Sequence, residues 1–170
     1  PEDVNKNWII IAFSDSTYYP AARIWYNQLK ALGYENHYLI ALDDQVYEKC
    51  LSENIRTKKA SSDFNRDPKS LGPSGKLSRL WSIRLTTIFN LLRTNVNVFI
   101  SDVDSIWLKH QNLNLLPFPS LIDIYHGLGT KHPLEAYEKY GFVVCGCIGA
   151  YRSNERVIEF FRQTLSNKTK

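Results

Sequence analysis

The chain has 170 residues, of which 44% are hydrophobic, enough to build the core of one domain. Its formal net charge is +4, but apart from Lys58-Lys59 the basic residues are scattered, so we expect no nucleic acid as a partner. No apolar run reaches the roughly 18 residues of a transmembrane helix, so we expect no membrane contact within this segment.

The ends of the chain suggest a piece of a longer protein. It starts Pro-Glu-Asp and contains no methionine. We therefore expect a processed piece or a fragment, with any anchor or targeting segment outside it. Asn167-Lys168-Thr169 matches an N-glycosylation acceptor, which matters only in a secretory compartment.

The three cysteines give no disulfide framework and no zinc-binding pattern. We expect Cys145 and Cys147 to be buried thiols, with a redox or metal role as the alternative. Cys50 lies on a predicted helix.

The first part of the chain predicts two units of strand and helix. An apolar run at 8–13 predicts a strand, and a helical period follows at 19–32. A second strand at 37–42 ends in Asp43-Asp44, where a second helix starts. Residues 57–74 have no apolar period and predict a long loop.

The rest of the chain continues the alternation, with a helix at 76–93 and a strand at 96–100. The later elements are a turn with Pro117 and Pro119, a strand at 121–125, a helix at 133–140, a strand at 142–147 and a helix at 153–165. Strands that alternate with helices predict βαβ units, and therefore an α/β fold with a mostly parallel sheet.

The most informative stretch is the apolar run at 98–108, which Asp102 and Asp104 interrupt. In an extended strand, residues two apart point to the same side, so the two carboxylates emerge together while Val103 turns into the core. Ligands of open α/β sheets bind outside the carboxyl ends of the strands. Asp-x-Asp triplets are common by chance, so it is this context that predicts a cation site.

Arg84 lies on the apolar face of the helix predicted at 76–93. At about 100° per residue, Arg84 falls about 20° from Leu77, at the centre of the stripe. The other stripe residues are Leu80, Trp81, Ile88, Leu91 and Leu92. Because a buried guanidinium needs a partner, we expect Arg84 to meet the acid pair or a ligand phosphate. The alternative is a structural arginine that pairs with another acid or caps a carbonyl.

On these residues the chain resembles the nucleotide-diphospho-sugar transferase family, which includes xylosyl- and arabinosyltransferases of wall polysaccharides and glycoproteins. Ser-Asp-Val-Asp-Ser-Ile-Trp-Leu-Lys at 101–109 is similar to the family's D-x-D region. Residues 29–34 and 39–47 resemble its first helix end and second strand, and 147–154 resembles its Gly-containing last strand.

The resemblance implies a Rossmann-like GT-A fold that spans residues 1–170 as one truncated domain, with the acceptor-side portion beyond its C-terminal end. It implies a nucleotide sugar donor, usually linked to uridine diphosphate, and a glycan or glycoprotein acceptor. It also implies Mn²⁺ or Mg²⁺ as the cofactor, because a cation neutralises the leaving diphosphate. Such enzymes usually work in the Golgi lumen behind a membrane anchor.

Residue roles also follow from the resemblance. Asp104 would be the more direct metal ligand, and Asp102 would share the metal or hold the ribose. Arg84 would lie near the diphosphate. The full set of implied donor-binding residues is Phe13, Ser14, Asp15, Arg84, Asp102, Val103 and Asp104. The family's third metal ligand is not evident, and we expect His126 and His132 to be surface or turn residues instead.

Two alternatives stay open. The triplet also resembles the nucleophile loop of haloacid-dehalogenase-like phosphatases, in which Asp102 would attack phosphorus and Asp104 would act as acid and base. However, no Asp-Asp pair follows Asp104, and about a hundred residues precede a motif that normally lies near the start of its domain. The second alternative is a sugar-nucleotide-binding domain without catalysis.

Overall fold

The computed structural model describes residues 7–60, 73–116 and 121–166. Its strands are β1 (Trp8–Ser14), β2 (His37–Ala41), β3 (Thr57–Lys59), β4 (Asn97–Ser101), β5 (Ile124–Leu128) and β6 (Val144–Tyr151). Its α-helices are α1 (Tyr19–Ala31), α2 (Asp44–Ser52), α3 (Pro73–Leu92), α4 (Leu134–Tyr140) and α5 (Glu155–Ser166). A 3₁₀ turn occupies Leu113–Leu115.

The strands form one sheet in the order β3-β2-β1-β4-β6-β5. β1 pairs in parallel with β2 and β4, and β3 pairs in parallel with β2. β6 lies antiparallel between β4 and β5. The predicted α/β class and mostly parallel sheet are confirmed. β1 is nearly all apolar because it lies in the middle of the sheet, with a packed core on each face.

The core has two layers. On one face, α1 and α2 cover the sheet, with Trp25 and Leu29 packed in the same cluster as Ile10. On the other face, Ile88 of α3 and Phe161 of α5 pack in the cluster that contains Ile11. The predicted stripe on α3 is buried at Ile88 and Leu92, whereas Leu77, near the start of the helix, is exposed. In the described residues, no helix is both long and apolar enough to cross a membrane.

β3 lies inside the loop predicted at 57–74. It is an edge strand of three residues with two exposed lysines, so it has no apolar period to reveal it. The rest of that loop, from 61 to 72, lies outside the described residues, as do Pro117, Pro119 and the acceptor motif at 167–169.

The prediction for the C-terminal cysteines was wrong. Cys145 and Cys147 form a disulfide, while Cys50 is a buried free thiol. The Cα atoms of Cys145 and Cys147 are 5.4 Å apart, a normal separation for bridged cysteines. The strand pattern indicated buried thiols because it does not reveal the register shift that β6 makes at this point.

Ser101 anchors the carboxyl end of β4 from within the core, where it is 1% exposed. Its Oγ accepts hydrogen bonds from the indole nitrogens of Trp25, at 3.2 Å, and Trp107, at 3.1 Å. The backbone N–H of Trp107 donates to Oε1 of Gln28 on α1 at 3.1 Å. The chain after β4 is therefore fastened to both the strand end and α1.

Replacing Ser101 by alanine should lower the free energy of unfolding by about 2 kcal/mol, because the buried indole N–H of Trp25 loses its acceptor. Urea denaturation measures this change. Ser52→Ala, at the exposed end of α2, is the matched control and should change stability by less than about 0.5 kcal/mol. Equal stability of the two variants would show that the indole bonds contribute little.

His37 is a buried titratable group on the α1 side of the sheet. It is 2% exposed, and its ring centroid lies 4.3 Å from that of Tyr26 and 6.3 Å from that of Trp25. Burial lowers the pKa of His37 to about 4. The folded chain therefore holds this imidazole neutral.

This burial should make the chain less stable in acid. Below about pH 6.5 the unfolded chain binds a proton at residue 37, whereas the folded chain binds it only below about pH 4. The unfolding free energy therefore falls as the pH is lowered from about 6.5 to about 4. The loss should reach about 3 kcal/mol, measured by urea denaturation at several pH values. His37→Phe should remove most of this slope, whereas replacement of the exposed His132 by alanine should leave it intact.

Candidate functional site

The segments that follow β1 and β4 line a cavity of about 240 Å³. Because β1 and β4 are parallel neighbours, their carboxyl ends meet at the same edge of the sheet. All seven residues predicted for the donor site line this cavity: Phe13, Ser14, Asp15, Arg84, Asp102, Val103 and Asp104. Segments far apart in sequence are thus brought to one place.

The acid pair sits in a turn and not in an extended strand, which corrects the expected local geometry. β4 ends at Ser101, and the N–H of Ser105 donates to the carbonyl of Asp102 at 3.0 Å, closing a turn. Val103 is buried, Asp102 is half-buried and Asp104 is exposed. Both carboxylates still line the cavity, because the turn begins at its edge.

Arg84 is 6% exposed and has the partner that its position predicted. Its Nη1 lies 2.8 Å from Oδ1 of Asp102, and its Nη2 donates to the carbonyl of Gly146 at 2.6 Å. Its guanidinium carbon lies 4.9 Å from the ring centroid of Trp81 and 5.5 Å from that of Phe13. The guanidinium is therefore held by a carboxylate, a carbonyl and two aromatic rings.

Three effects act on the carboxyl group of Asp102. Burial is the largest, and it raises the pKa of Asp102 above its usual value. Arg84 opposes this rise through its charge and its hydrogen bond, while the nearby Asp104 adds to it. The ionised form of Asp102 therefore depends on Arg84.

Asp15 and Asp43 fix the loops behind the cavity. Oδ1 of Asp15 accepts from the N–H groups of Thr17 and Tyr18, both at 3.0 Å, and so shapes the start of α1. Asp43 caps α2 through the N–H of Val46, and its other oxygen accepts from the N–H of Ser16, each at 2.8 Å. One carboxylate thus joins the loops that follow β1 and β2.

Three further residues line the cavity and were not predicted: Tyr18, Leu42 and Leu80. Leu42 could have been found, since it follows a strand that is parallel to β1. Tyr18 and Leu80 carry no such signal, because Tyr18 lies in the turn just before α1 and Leu80 belongs to the ordinary apolar stripe of α3.

The carboxylate oxygens at the cavity suit a cation that arrives together with an anionic ligand. Asp102 and Asp104 offer carboxylate oxygens, which Mn²⁺ and Mg²⁺ prefer. Within 7–60, 73–116 and 121–166, no group of three or more His, Cys, Asp or Glu side chains could hold a metal ion. The pair fits a cation that takes two carboxylates and completes its shell with phosphate oxygens and water.

His126 is committed elsewhere. Its Nδ1 lies 3.2 Å from the carbonyl of Cys145, and its Nε2 lies 3.0 Å from the hydroxyl of Tyr151. A carbonyl only accepts, so Nδ1 carries the proton and Nε2 accepts from the tyrosine. Gly149 leaves room for this pair, because a Cβ there would lie 2.8 Å from the Tyr151 hydroxyl.

Comparison with known proteins gives two curated relatives from Arabidopsis thaliana. Arabinosyltransferase RRA2 is 27% identical over 107 residues, and arabinosyltransferase RRA1 is 25% identical over 111 residues. Each match covers 63% of this chain, but only 24% of RRA2 and 26% of RRA1. The chain thus spans about a quarter of the length of the curated relatives that it matches.

Two solved structures are similar at low identity. One is CMP:2-keto-3-deoxy-manno-octonic acid synthetase complexed with CTP, 10% identical with a TM-score of 0.48, over 92% of this chain and 77% of that one. The other is apo glycosyltransferase GlyE from Streptococcus pneumoniae, 13% identical with a TM-score of 0.43, over 95% of this chain and 38% of that one.

The family comparison covers most of the chain. The model of the nucleotide-diphospho-sugar transferase family matches residues 33–170, a stretch that includes Arg84 and the acid pair. It confirms the resemblance that the acid turn and its flanking strands indicated, and this chain belongs to the nucleotide-diphospho-sugar transferase family.

Proposed function

We propose that this chain is the donor-binding part of a glycosyltransferase that moves a sugar from a nucleotide diphosphate, most simply uridine diphosphate, to a glycan or glycoprotein acceptor. The observation that carries the proposal is the cavity at the ends of β1 and β4, which is lined by a buried arginine paired with one of two adjacent carboxylates. Family membership supports the class of reaction.

In this proposal Asp104 is the leading ligand of a Mn²⁺ or Mg²⁺ ion, and Asp102 is the second. Asp104 is exposed, whereas one oxygen of Asp102 is already engaged by Arg84. The bound cation would neutralise the negative charge that develops on the leaving diphosphate. The two side chains hold their oxygens at the cavity edge because the turn after β4 is anchored through Ser101.

Arg84 has two tasks in the proposal. It keeps Asp102 ionised, and it places positive charge beside the donor diphosphate. Its fixed contacts with Asp102 and Gly146 mean that little side-chain freedom is lost when the donor binds.

Phe13, Ser14 and Asp15 border the base and ribose in this proposal. Ser14 is buried, and its hydroxyl donates to the carbonyl of Asp15 at 2.9 Å, so the turn after β1 is already shaped. Val103, between the two acids, also lines the cavity. Tyr18 and Leu42 add an aromatic and an apolar surface for the base.

Family membership argues against the phosphatase alternative, in which Asp102 attacks phosphorus. A non-catalytic sugar-nucleotide-binding domain would use the same cavity and differ only in turnover. We also propose a location in the Golgi lumen. The disulfide between Cys145 and Cys147 supports an oxidising compartment of this kind.

Titration of the chain with uridine diphosphate, with and without Mn²⁺, tests the proposal. Mn²⁺ should tighten binding at least tenfold, and Asp104→Ala should abolish that gain, because a carboxylate ligand is lost. Isothermal titration calorimetry measures both affinities. Asp44→Ala removes an exposed acid at the start of α2 and should behave like the unmodified chain. Affinity that is indifferent to Mn²⁺ would refute the cation site.

Arg84→Leu tests the diphosphate contact. The affinity for uridine diphosphate should fall about 10- to 100-fold, the effect of losing a hydrogen bond to a charged group. Arg84→Lys, which keeps a positive charge, should lose less affinity. Arg93→Leu, just beyond the end of α3, should bind uridine diphosphate as tightly as the unmodified chain. If Arg84→Leu has the circular dichroism spectrum of the folded chain and still binds uridine diphosphate with unchanged affinity, the arginine has a structural role only.

A further inference from the structure

The segment 145–147 of β6 presents three consecutive carbonyls to the site and its surroundings. The carbonyl of Cys145 accepts from His126, that of Gly146 accepts from Arg84, and that of Cys147 accepts from the N–H of Asp102 at 2.8 Å. One short stretch of backbone therefore positions both members of the ion pair at the cavity.

This stretch departs from regular strand pairing. On β5, His126 pairs with Gly149 and the next residue, Gly127, pairs with Cys145. The residues of β6 between those positions bulge out of the ladder. A bulge frees carbonyls from the neighbouring strand and re-aims them, which is how Gly146 reaches the guanidinium.

The disulfide closes the bulge. It joins the residues on either side of Gly146, so the covalent ring restricts the backbone of the glycine that holds Arg84. The N–H of Cys147 also lies 3.3 Å from Sγ of Cys145. Trp81 packs on the same glycine: a Cβ at residue 146 would lie 1.9 Å from its ring. The bridge and the ring together define where the Gly146 carbonyl points.

We propose that the Cys145–Cys147 disulfide is a redox-sensitive positioning element of the donor site, which fixes Arg84 and Asp102 when oxidised and releases them when reduced. The inference rests on the proposed function for its effect on donor binding. A water-soluble trialkylphosphine carries out the reduction: the S–S bond breaks, water supplies two protons and one oxygen, and two thiols and a phosphine oxide form.

The two sulfurs are suited to such a response. Cys145 and Cys147 are half-buried, so a small reductant has a route to their bridge, whereas Cys50 is 0% exposed. Burial also raises the pKa of the Cys50 thiol, which keeps that group unreactive. Cys50 is therefore a suitable internal control.

The experiment compares the oxidised and phosphine-reduced chain with Mn²⁺ present, using two ligands: uridine diphosphate, which needs Arg84, and uridine, which does not. Reduction should lower the affinity for uridine diphosphate at least tenfold and change the affinity for uridine by less than about twofold. NMR titration measures both affinities. Cys145→Ser/Cys147→Ser should match the reduced chain. Cys50→Ala should respond to reduction as the unmodified chain does. In Arg84→Leu, reduction should have little further effect, because its target is already absent.

Amide hydrogen exchange gives a readout that is independent of donor binding. The N–H of Asp102 donates to the Cys147 carbonyl, so its exchange should quicken on reduction, whereas that of Ile11 in β1 should not. If the oxidised chain fails to bind uridine diphosphate but the Asp102 amide responds, the proposed function fails and the positioning role stands.

Three results would overturn the inference. Mass spectrometry after alkylation could find free thiols at both positions in the air-oxidised chain. Reduction could leave both the exchange rate of the Asp102 amide and the affinity for uridine diphosphate unchanged. Finally, reduction could lower the affinities for uridine and uridine diphosphate equally, which would indicate a general loss of structure.

Discussion

The buried charge of Arg84 is the constraint on which the site depends. A guanidinium that is 6% exposed must replace its lost hydration with other groups, and here it does so with Asp102 and the carbonyl of Gly146. These partners come from the turn after β4 and from β6, while the arginine comes from α3. Pairing the two terminal nitrogens of this guanidinium therefore joins three elements at the edge of the cavity, and the same contacts hold Asp102 beside Asp104 as a carboxylate pair.

The direction of β6 makes this arrangement possible. β1, β2 and β4 are parallel and end together, so their loops form the cavity floor. β6 runs the opposite way, and its residue Ile148 pairs with Ser101 at the very end of β4. The beginning of β6 thus lies beside the acid turn. A parallel strand in that place would bring its carboxyl end there, and the bulge that reaches Arg84 would have to form after the strand and not within it.

The sequence pattern was sufficient for the fold class, and it picked out seven residues that line one cavity, because both depend on strong local signals. Apolar strands interrupted by acids, and one arginine on an apolar helix face, are visible without a structure. The turn at 102–105, the edge strand with Lys58 and Lys59, and the Cys145–Cys147 bridge were not visible. Each depends on pairing between distant segments: Asp102 pairs with β6, β3 pairs with β2, and the bridge needs the bulge opposite β5.

The small number of carboxylates at the cavity also determines how a cation and a nucleotide sugar would bind there in the proposed function. Two carboxylates, one of them shared with Arg84, leave most of a cation's coordination to other oxygens. In the proposed function, diphosphate oxygens would supply that coordination, so the cation and the sugar donor would bind as a unit. The factor by which the cation tightens the donor must then equal the factor by which the donor tightens the cation.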